Sequence, residues 1–321
     1  MEIIKLHHPY DKDALYPKEI VLVLGFFDGV HKGHQRVIKR GIEKAKEKNV
    51  KCAVMTFNQH PAIVYSKFDP YEHQYLTTLT RKEELMESLG VDILYEVDFT
   101  SRLGALSPQE FVDQYIVGLN AVAAVAGFDY TYGKKTVASM DHLPGYANGR
   151  FEVVTVQQKS DHGAKISSTR IRKVLKEGRV EEANELLGYI YEVPGVVIHG
   201  DARGRTLGYP TANMYPEPFI ILPKRGVYAV KVWVNGVWYD GMASIGYNVT
   251  FEKRKNYSVE VHIFDFNEEI YGEHIRVKWV SFLREEVKFA SAEQLIEQLE
   301  IDERQSRGIL SDVNVNKEKF I

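Results

Sequence analysis

Up to residue 187, short apolar runs alternate with helical segments that carry their own start signals. Beyond Gly188, strand-like runs follow one another with no helix between them. That change of rhythm limits the chain to two folds in series. Alternation favours a parallel sheet with helices on both faces; consecutive strands joined by turn residues favour a small antiparallel barrel. Residues 20–26 form a continuous apolar run, the pattern of a strand buried on both faces. Residues 33–48 have helical character, and 51–57, 92–97, 121–126 and 152–156 read as further strands. Thr80-Arg81-Lys82-Glu83 has capping-box spacing and predicts a helix to about Leu89. Ser107-Pro108-Gln109-Glu110 predicts another, with Pro at the first helical position. Residues 167–176 and 180–187 read as two helices closing this half. In the second half, 191–199, 226–234, 236–245, 257–264 and 274–282 are rich in β-branched and aromatic residues. Asn235-Gly236 marks a hairpin between two of them. Residues 291–299 and 301–310 read as terminal helices. The expected domains are 1–187 and 188–321.

At 321 residues the chain can build two cores. Its 44% hydrophobic and 26% charged residues are those of a soluble protein. A net charge of −3 argues against a mainly electrostatic nucleic-acid binder, so no nucleic-acid partner is expected. The single cysteine, Cys52, cannot form an internal disulfide, and its apolar setting predicts a buried strand residue. Met1–Tyr10 lacks the apolar core of a secretion signal, and no apolar run is long enough to span a membrane. The expected location is the cytoplasm.

Two segments carry phosphate chemistry. In Gly25-Phe26-Phe27-Asp28-Gly29-Val30-His31-Lys32-Gly33-His34 a strand ends, glycines allow a tight turn close to a ligand, and a helix begins near Gly33. A helix N-terminus suits phosphate. His31 and His34 are three apart, so both can point to one place and stabilise charge in transfer. The bare spacing equally fits a metal-site fragment or two surface residues, but no HExxH helix or CxxC pair supports zinc. Ile166-Ser167-Ser168-Thr169-Arg170-Ile171-Arg172 puts hydroxyls, which are also ordinary helix caps, and two arginines at a helix start. The glycines of 127–135 fail the P-loop spacing, and those of 25–33 fail the dinucleotide-binding pattern.

In the second segment, Gly195, Gly200, Gly204 and Gly208 fall within fourteen residues, letting backbone amides approach an anion. A glycine-rich hairpin is the alternative on glycines alone. The continuation Pro210-Thr211-Ala212-Asn213 adds a hydroxyl and an amide oxygen, hard ligands suited to Mg²⁺ with phosphates. Glu260 stands in an alternating strand, where an exposed carboxylate is unremarkable.

His31-Lys32-Gly33-His34 with residues 166–172 resembles the HxGH and ISSTxxR pair of the nucleotidylyltransferase superfamily. The longer string 25–34 resembles the adenylyltransferase module of bacterial bifunctional riboflavin kinase/FMN adenylyltransferases (FAD synthetases). Thr56-Phe57-Asn58-Gln59-His60-Pro61, Gly127-Phe128-Asp129-Tyr130-Thr131-Tyr132-Gly133 and 165–172 match that family too. The 204–213 block resembles the GxxxGRxLGxPTAN signature of riboflavin kinases, and the match continues through 226–229, 244–248, 260–266 and 283–289.

The resemblance implies a Rossmann-like α/β nucleotidylyltransferase domain followed by a small β-barrel kinase domain with terminal helices. It implies two transferase activities: riboflavin and ATP giving FMN, then FMN and ATP giving FAD. It implies an adenylyltransferase ATP site of Gly25, Phe27, Asp28, Gly29, His31, His34, Asp129, Lys165, Ser168, Thr169 and Arg172. His60, Pro61 and Tyr65 would lie near the flavin. For the kinase it implies Gly200, Gly204, Arg205, Gly208, Pro210, Thr211 and Asn213 for ATP, with Thr211 and Asn213 holding Mg²⁺. Glu260 would be the base, and Leu283 and Arg284 would meet the flavin. Gln59 and Val249 stand where relatives favour Pro; Gln59 is expected to loosen the loop before His60. Two other readings stay open: one active site with a flavin-sensing second domain, and a nucleic-acid barrel joined to a nucleotidyltransferase.

Overall fold

The computed structural model describes residues 1–67, 69, 73–157, 160–161, 164–200, 204, 208–247 and 257–313. They form two compact units. The first holds Met1–His73 and Thr77–Ser167; the second holds Gln74–Leu76 and the described residues from Ser168 onward.

The first unit contains β1 (Glu2–Leu6), β2 (Ile20–Leu24), α1 (Lys32–Lys48), β3 (Lys51–Phe57), α2 (Ala62–Tyr65), α3 (Leu79–Ser88), β4 (Ile93–Val97), α4 (Ser101–Gly104) and α5 (Pro108–Val112). It continues with β5 (Ala121–Gly127), α6 (Leu143–Ala147), β6 (Glu152–Val156) and the two-residue strands β7 (Ser160–Asp161) and β8 (Ala164–Lys165). Six strands form one parallel sheet in the order β1-β4-β3-β2-β5-β6. Strand order reverses between β2 and β5, and ligands of such sheets bind at the carboxyl ends beside that reversal. Every residue of β2 is buried, as a strand covered on both faces requires. Gly41 of α1 lets the helix approach: a Cβ there would fall 2.1 Å from Val23 Cγ2. Cys52 is buried in β3, which pushes its thiol up to about 12.

The capping box at Ser107 forms as expected. Its hydroxyl accepts from Glu110 N at 3.3 Å, and Glu110 accepts from Ser107 N at 2.8 Å. The helix expected from Thr80 begins earlier. Thr78 is its cap, accepting from Arg81 N at 3.1 Å, so Thr80 lies inside α3.

The second unit contains α7 (Ser168–Lys176), α8 (Val180–Leu187), β9 (Glu192–Ile198), β10 (Ala212–Pro216), β11 (Gly226–Val234), β12 (Val237–Tyr247), β13 (Tyr257–Ile263), β14 (His274–Arg284) and α9 (Ala292–Leu310). The six strands close into an antiparallel barrel in the order β10-β13-β12-β11-β14-β9. Asn235 and Gly236 take φ of 48° and 91° and turn β11 into β12, the left-handed pair that an Asn-Gly hairpin needs. α7 and α8 pack on each other, α8 packs on β14, and both belong to this unit. The two expected terminal helices are one. α9 starts at Ser291, whose hydroxyl caps Gln294 N, and runs through Glu300 unbroken.

Candidate functional site

The turn after β2 is strained. Phe27, Gly29 and Val30 have φ of 53°, 80° and 33°. A left-handed conformation costs a β-branched or bulky residue about 1–3 kcal/mol, and such strain gathers at functional sites. Phe27, Asp28 and Val30 are nonetheless buried, and a Cβ on Gly25 would meet the Phe27 ring at 2.5 Å. The turn is held by hydrogen bonds. Gly29 N donates to Thr77 Oγ1 at 3.1 Å, and Thr77 N donates to Asp28 Oδ1 at 3.3 Å. Gln35 Nε2 donates to Val30 O at 2.9 Å.

His31 caps α1: its Nδ1 accepts from His34 N at 3.3 Å. The two rings stack at 3.6 Å and 19°, and Phe27 meets His34 edge-on at 5.3 Å. A Cβ on Gly33 would stand 3.0 Å from His31 Cε1, so a small residue belongs there. Burial holds His34 well below the ordinary histidine range, and the charges of His31, Lys82 and Lys165 push the same way. Its Nδ1 is buried without a hydrogen-bond partner, a donor or acceptor that a ligand oxygen would satisfy. Asp129 and Lys165, distant in sequence, form an ion pair, with Lys165 Nζ 5.1 Å from the Phe128 ring centroid. Ser168 and Thr169 open α7 in the second unit, where Arg172 donates to Gln74 O at 2.7 Å.

A cavity of about 590 Å³ lies in the first unit. Its walls come from segments following β3, β4 and β5: Phe57, Pro61, Tyr65, Phe99, Phe111 and Tyr132 among them. Tyr65 donates to Gly104 O at 3.0 Å. His60 sits beside the wall, edge-on to Phe26 at 5.2 Å, accepting from Ala62 N at 3.1 Å. The loop expected to loosen at Gln59 is tied down instead: Gln59 Nε2 donates to Phe99 O at 2.8 Å, a bond Pro cannot make. Sequence reasoning missed Phe99, Leu103 and Phe111, which carry no local signal. It also missed Lys82, whose burial no pattern announces.

In the second unit, β10 places Asn213 directly opposite Ile198 on one side and Glu260 on the other. Glu260 also faces Ser244 of β12. Glycines make the room around these groups. A Cβ on Gly200 would stand 2.2 Å from Asn213 Cγ, and one on Gly204 would stand 2.2 Å from Tyr209 O. Gly208 has φ of 81°. His262 Nδ1 and Pro210 O are 2.7 Å apart. Pro210 and Thr211 line a cavity of about 400 Å³ with Val197, Val261 and Tyr271. Leu283 packs on the cluster of Ala229, Met242, Phe264 and Leu310. Arg284 forms a two-pronged ion pair with Asp302 of α9, with contacts of 2.6–3.0 Å, so its side chain is held by that helix. Arg205, Asn248 and Val249 lie outside the described residues. Hydroxyl and amide oxygens at Thr211 and Asn213, beside glycines that leave space for phosphates, form a donor set that fits Mg²⁺ better than a soft metal.

An HxGH turn at the reversal point of a parallel sheet, carried in one chain with a glycine-rich six-stranded barrel, defines a nucleotidyltransferase-type enzyme with a second phosphate-handling domain. The FAD synthetase family model matches residues 14–170, and the riboflavin kinase family model matches 187–310. A bifunctional riboflavin kinase/FMN adenylyltransferase of Listeria monocytogenes is 51% identical over 97% of this chain and 99% of its own. The Bacillus subtilis protein of the same name is 44% identical over 98% and 99%. The chain belongs to the bifunctional riboflavin kinase/FMN adenylyltransferase family. A solved structure from Streptococcus pneumoniae, described as a macrolide-efflux protein, has a TM-score of 0.88 at 40% identity over 95% of this chain and 99% of that one. Among the described residues no helix is long and apolar enough to cross a membrane.

Proposed function

We infer that the chain makes flavin cofactors in two ATP-dependent steps. The second unit transfers the γ-phosphoryl group of ATP to the ribityl 5′-hydroxyl of riboflavin, giving FMN and ADP. The first unit joins FMN to AMP: the FMN phosphate attacks the α-phosphorus of a second ATP, and pyrophosphate leaves. The observation that carries this reading is that each unit has its own strained or glycine-lined phosphate turn, matched by its own family model, in a chain aligned with its relatives along nearly their full length. The functional divisions are 1–187 and 188–321.

In the adenylyl step no protein nucleophile is needed. His31, His34 and Lys165 orient the phosphates and stabilise the charge spreading over them, with Asp129 holding Lys165. Gly25, Phe27, Asp28 and Gly29 shape the ATP turn, and we assign Ser168, Thr169 and Arg172 to ATP as well. His60, Pro61 and Tyr65 hold the flavin at the aromatic cavity. In the kinase step Glu260 accepts the hydroxyl proton. Gly200, Gly204, Arg205, Gly208 and Pro210 are assigned to ATP, and Leu283 and Arg284 to the flavin. Thr211 and Asn213 would hold Mg²⁺, which neutralises phosphate charge when bound. The protein works in the cytoplasm without a nucleic-acid partner.

The test is chromatography of flavins after incubation with riboflavin and Mg²⁺–ATP, and separately with FMN and Mg²⁺–ATP. FMN and FAD from the first and FAD from the second are expected. FMN without FAD in either would remove the adenylyltransferase reading, and no new flavin would remove both.

A further inference from the structure

We propose that Lys82 is a positioning residue for adenylyl transfer, anchoring the strained turn after β2 from beneath and setting a positive charge behind His31 and His34. The proposal rests on the reading of the first unit as the adenylyltransferase.

Lysine is rarely buried unless it is paired, yet Lys82 is only 4% exposed. Its Nζ donates to Phe26 O at 2.9 Å and to Thr56 Oγ1 at 3.1 Å, and lies 4.5 Å from the Phe26 ring centroid. Thr56 in turn donates to the same Phe26 carbonyl at 2.8 Å. That carbonyl belongs to the last peptide before the chain enters its left-handed stretch at Phe27. Five residues back, Thr77 binds Gly29 N and Asp28. Residues 77 and 82 therefore grip the turn at both ends, and the ring of Phe27 passes its position on to His34. A turn that needs only to fold could rest on an apolar side chain, which avoids the cost of burying an ammonium group. Burial pulls the Lys82 ammonium group down to about 8 against the upward pull of Asp28 and Glu96, which still leaves it mainly charged at neutral pH on the underside of a site that gathers phosphates. The acids that face it are Asp28 and Glu96, and Glu96 in turn meets Lys5 and Glu83. The groups that face His34 are His31, Lys82 and Lys165, and burial leads their combined downward pull on its proton.

The test uses Lys82→Met, which keeps the length of the side chain, and Lys82→Arg, which keeps the charge. FAD formation from FMN and FMN formation from riboflavin are measured on the same preparations, and the His34 ring is titrated by NMR. In Lys82→Met, kcat for FAD formation should fall by about 10²-fold, the scale for losing one electrostatic contact to a developing charge. The KM for FMN should stay within about threefold, because the turn positions the reacting phosphates and not the flavin. His34 should titrate at higher pH in Lys82→Met and return towards its original value in Lys82→Arg, which should also recover about tenfold in rate, as a retained charge requires. Riboflavin phosphorylation should be unchanged in both. Lys82→Met forming FAD within about threefold of the parent, Lys82→Arg as slow as Lys82→Met, or an unmoved His34 titration would each overturn the proposal. Should Lys82→Met fail to fold, Thr56→Val removes one partner at constant shape and should slow FAD formation by about tenfold; a parental rate would overturn the proposal. Absence of FAD from the parent protein would strike the adenylyltransferase reading itself, whereas parental FAD formation with an unimpaired Lys82→Met strikes the Lys82 assignment alone.

Discussion

Gly200→Ala is expected to remove most riboflavin phosphorylation and to leave FAD formation from FMN intact. A Cβ at this position would stand 2.2 Å from Cγ and Nδ2 of Asn213 and 2.4 Å from its Oδ1. Carbon contacts are comfortable at about 3.5–4.0 Å, so the amide must retreat by about 1.3 Å or more. A misplacement of about 1 Å in a positioning group costs on the order of 10²-fold, or about 2.7 kcal/mol of transition-state stabilisation. The fold should tolerate the change. The Asn213 backbone is pinned between Ile198 and Glu260, and only the end of its side chain has to move. The melting temperature should therefore shift by less than about 4 °C, the response to roughly 1 kcal/mol in a unit of this size. The assay is the initial rate of FMN production with Mg²⁺–ATP, alongside FAD production from FMN in the same sample. A variant that phosphorylates riboflavin within about threefold of the parent would refute the reasoning, because the Asn213 amide would then have no role in holding the nucleotide.

Histidine and glutamate variants should split the activities. His31→Ala should cost FAD formation about 10²-fold or more and spare FMN formation, and Glu260→Gln should do the reverse when riboflavin and FMN are supplied separately; loss of both activities in both folded variants would refute separate sites. Arg284→Met should destabilise the second unit by about 3–5 kcal/mol, because Asp302, 1% exposed, would lose its charged partner. All three tryptophans, Trp233, Trp238 and Trp279, lie in that unit, so urea unfolding followed by their fluorescence reads it directly, and an unmoved midpoint would contradict the prediction. Burial, then Glu83, raises Glu96 from 4.5 to about 7. The folded state then holds a proton that the unfolded state has lost between those values, so this group's contribution is present below pH 4.5 and is lost as pH rises through 7. Urea midpoints of the parent should fall relative to Glu96→Gln over that window, and parallel pH curves would count against it.

The parts of the fold written in local chemistry were legible before the structure. Ser107, Pro108 and Glu110 formed the expected cap, and Asn235-Gly236 the expected hairpin. At α3 the capping-box spacing of Thr80 with Glu83 points two residues too late: Thr78 accepts from the free amide of Arg81, and the helix has already begun at Leu79. Strand β1 escaped notice because it is an edge strand with Glu2, Ile3 and Lys5 turned towards solvent, which breaks the apolar run. Strand β10 has no apolar or β-branched run of its own, because Ala212 and Asn213 belong to the Pro-Thr-Ala-Asn ligand motif and Pro216 ends it, so Asn213 serves as ligand candidate and strand residue at once. The α9 helix runs through the break expected at Glu300, and Arg284 takes its Asp302 into the interior. At the sites, His31, His34 and the glycines announce themselves by spacing. The aromatic cavity does not, because Phe57, Phe99 and Tyr130 come from three strand ends that only the sheet order brings together.

The two units also differ in how they can meet another copy of the chain. Closure of the barrel pairs each of its six strands on both sides, so that unit offers no open row of backbone groups for a foreign strand to extend. The parallel sheet ends at β1 and β6, and charges stand at both margins: Glu2 and Lys5 at one, Lys44 and Lys48 with Glu152 at the other. Stripping those charges would turn the nucleotidyltransferase half, and not the kinase half, into the template for aggregation.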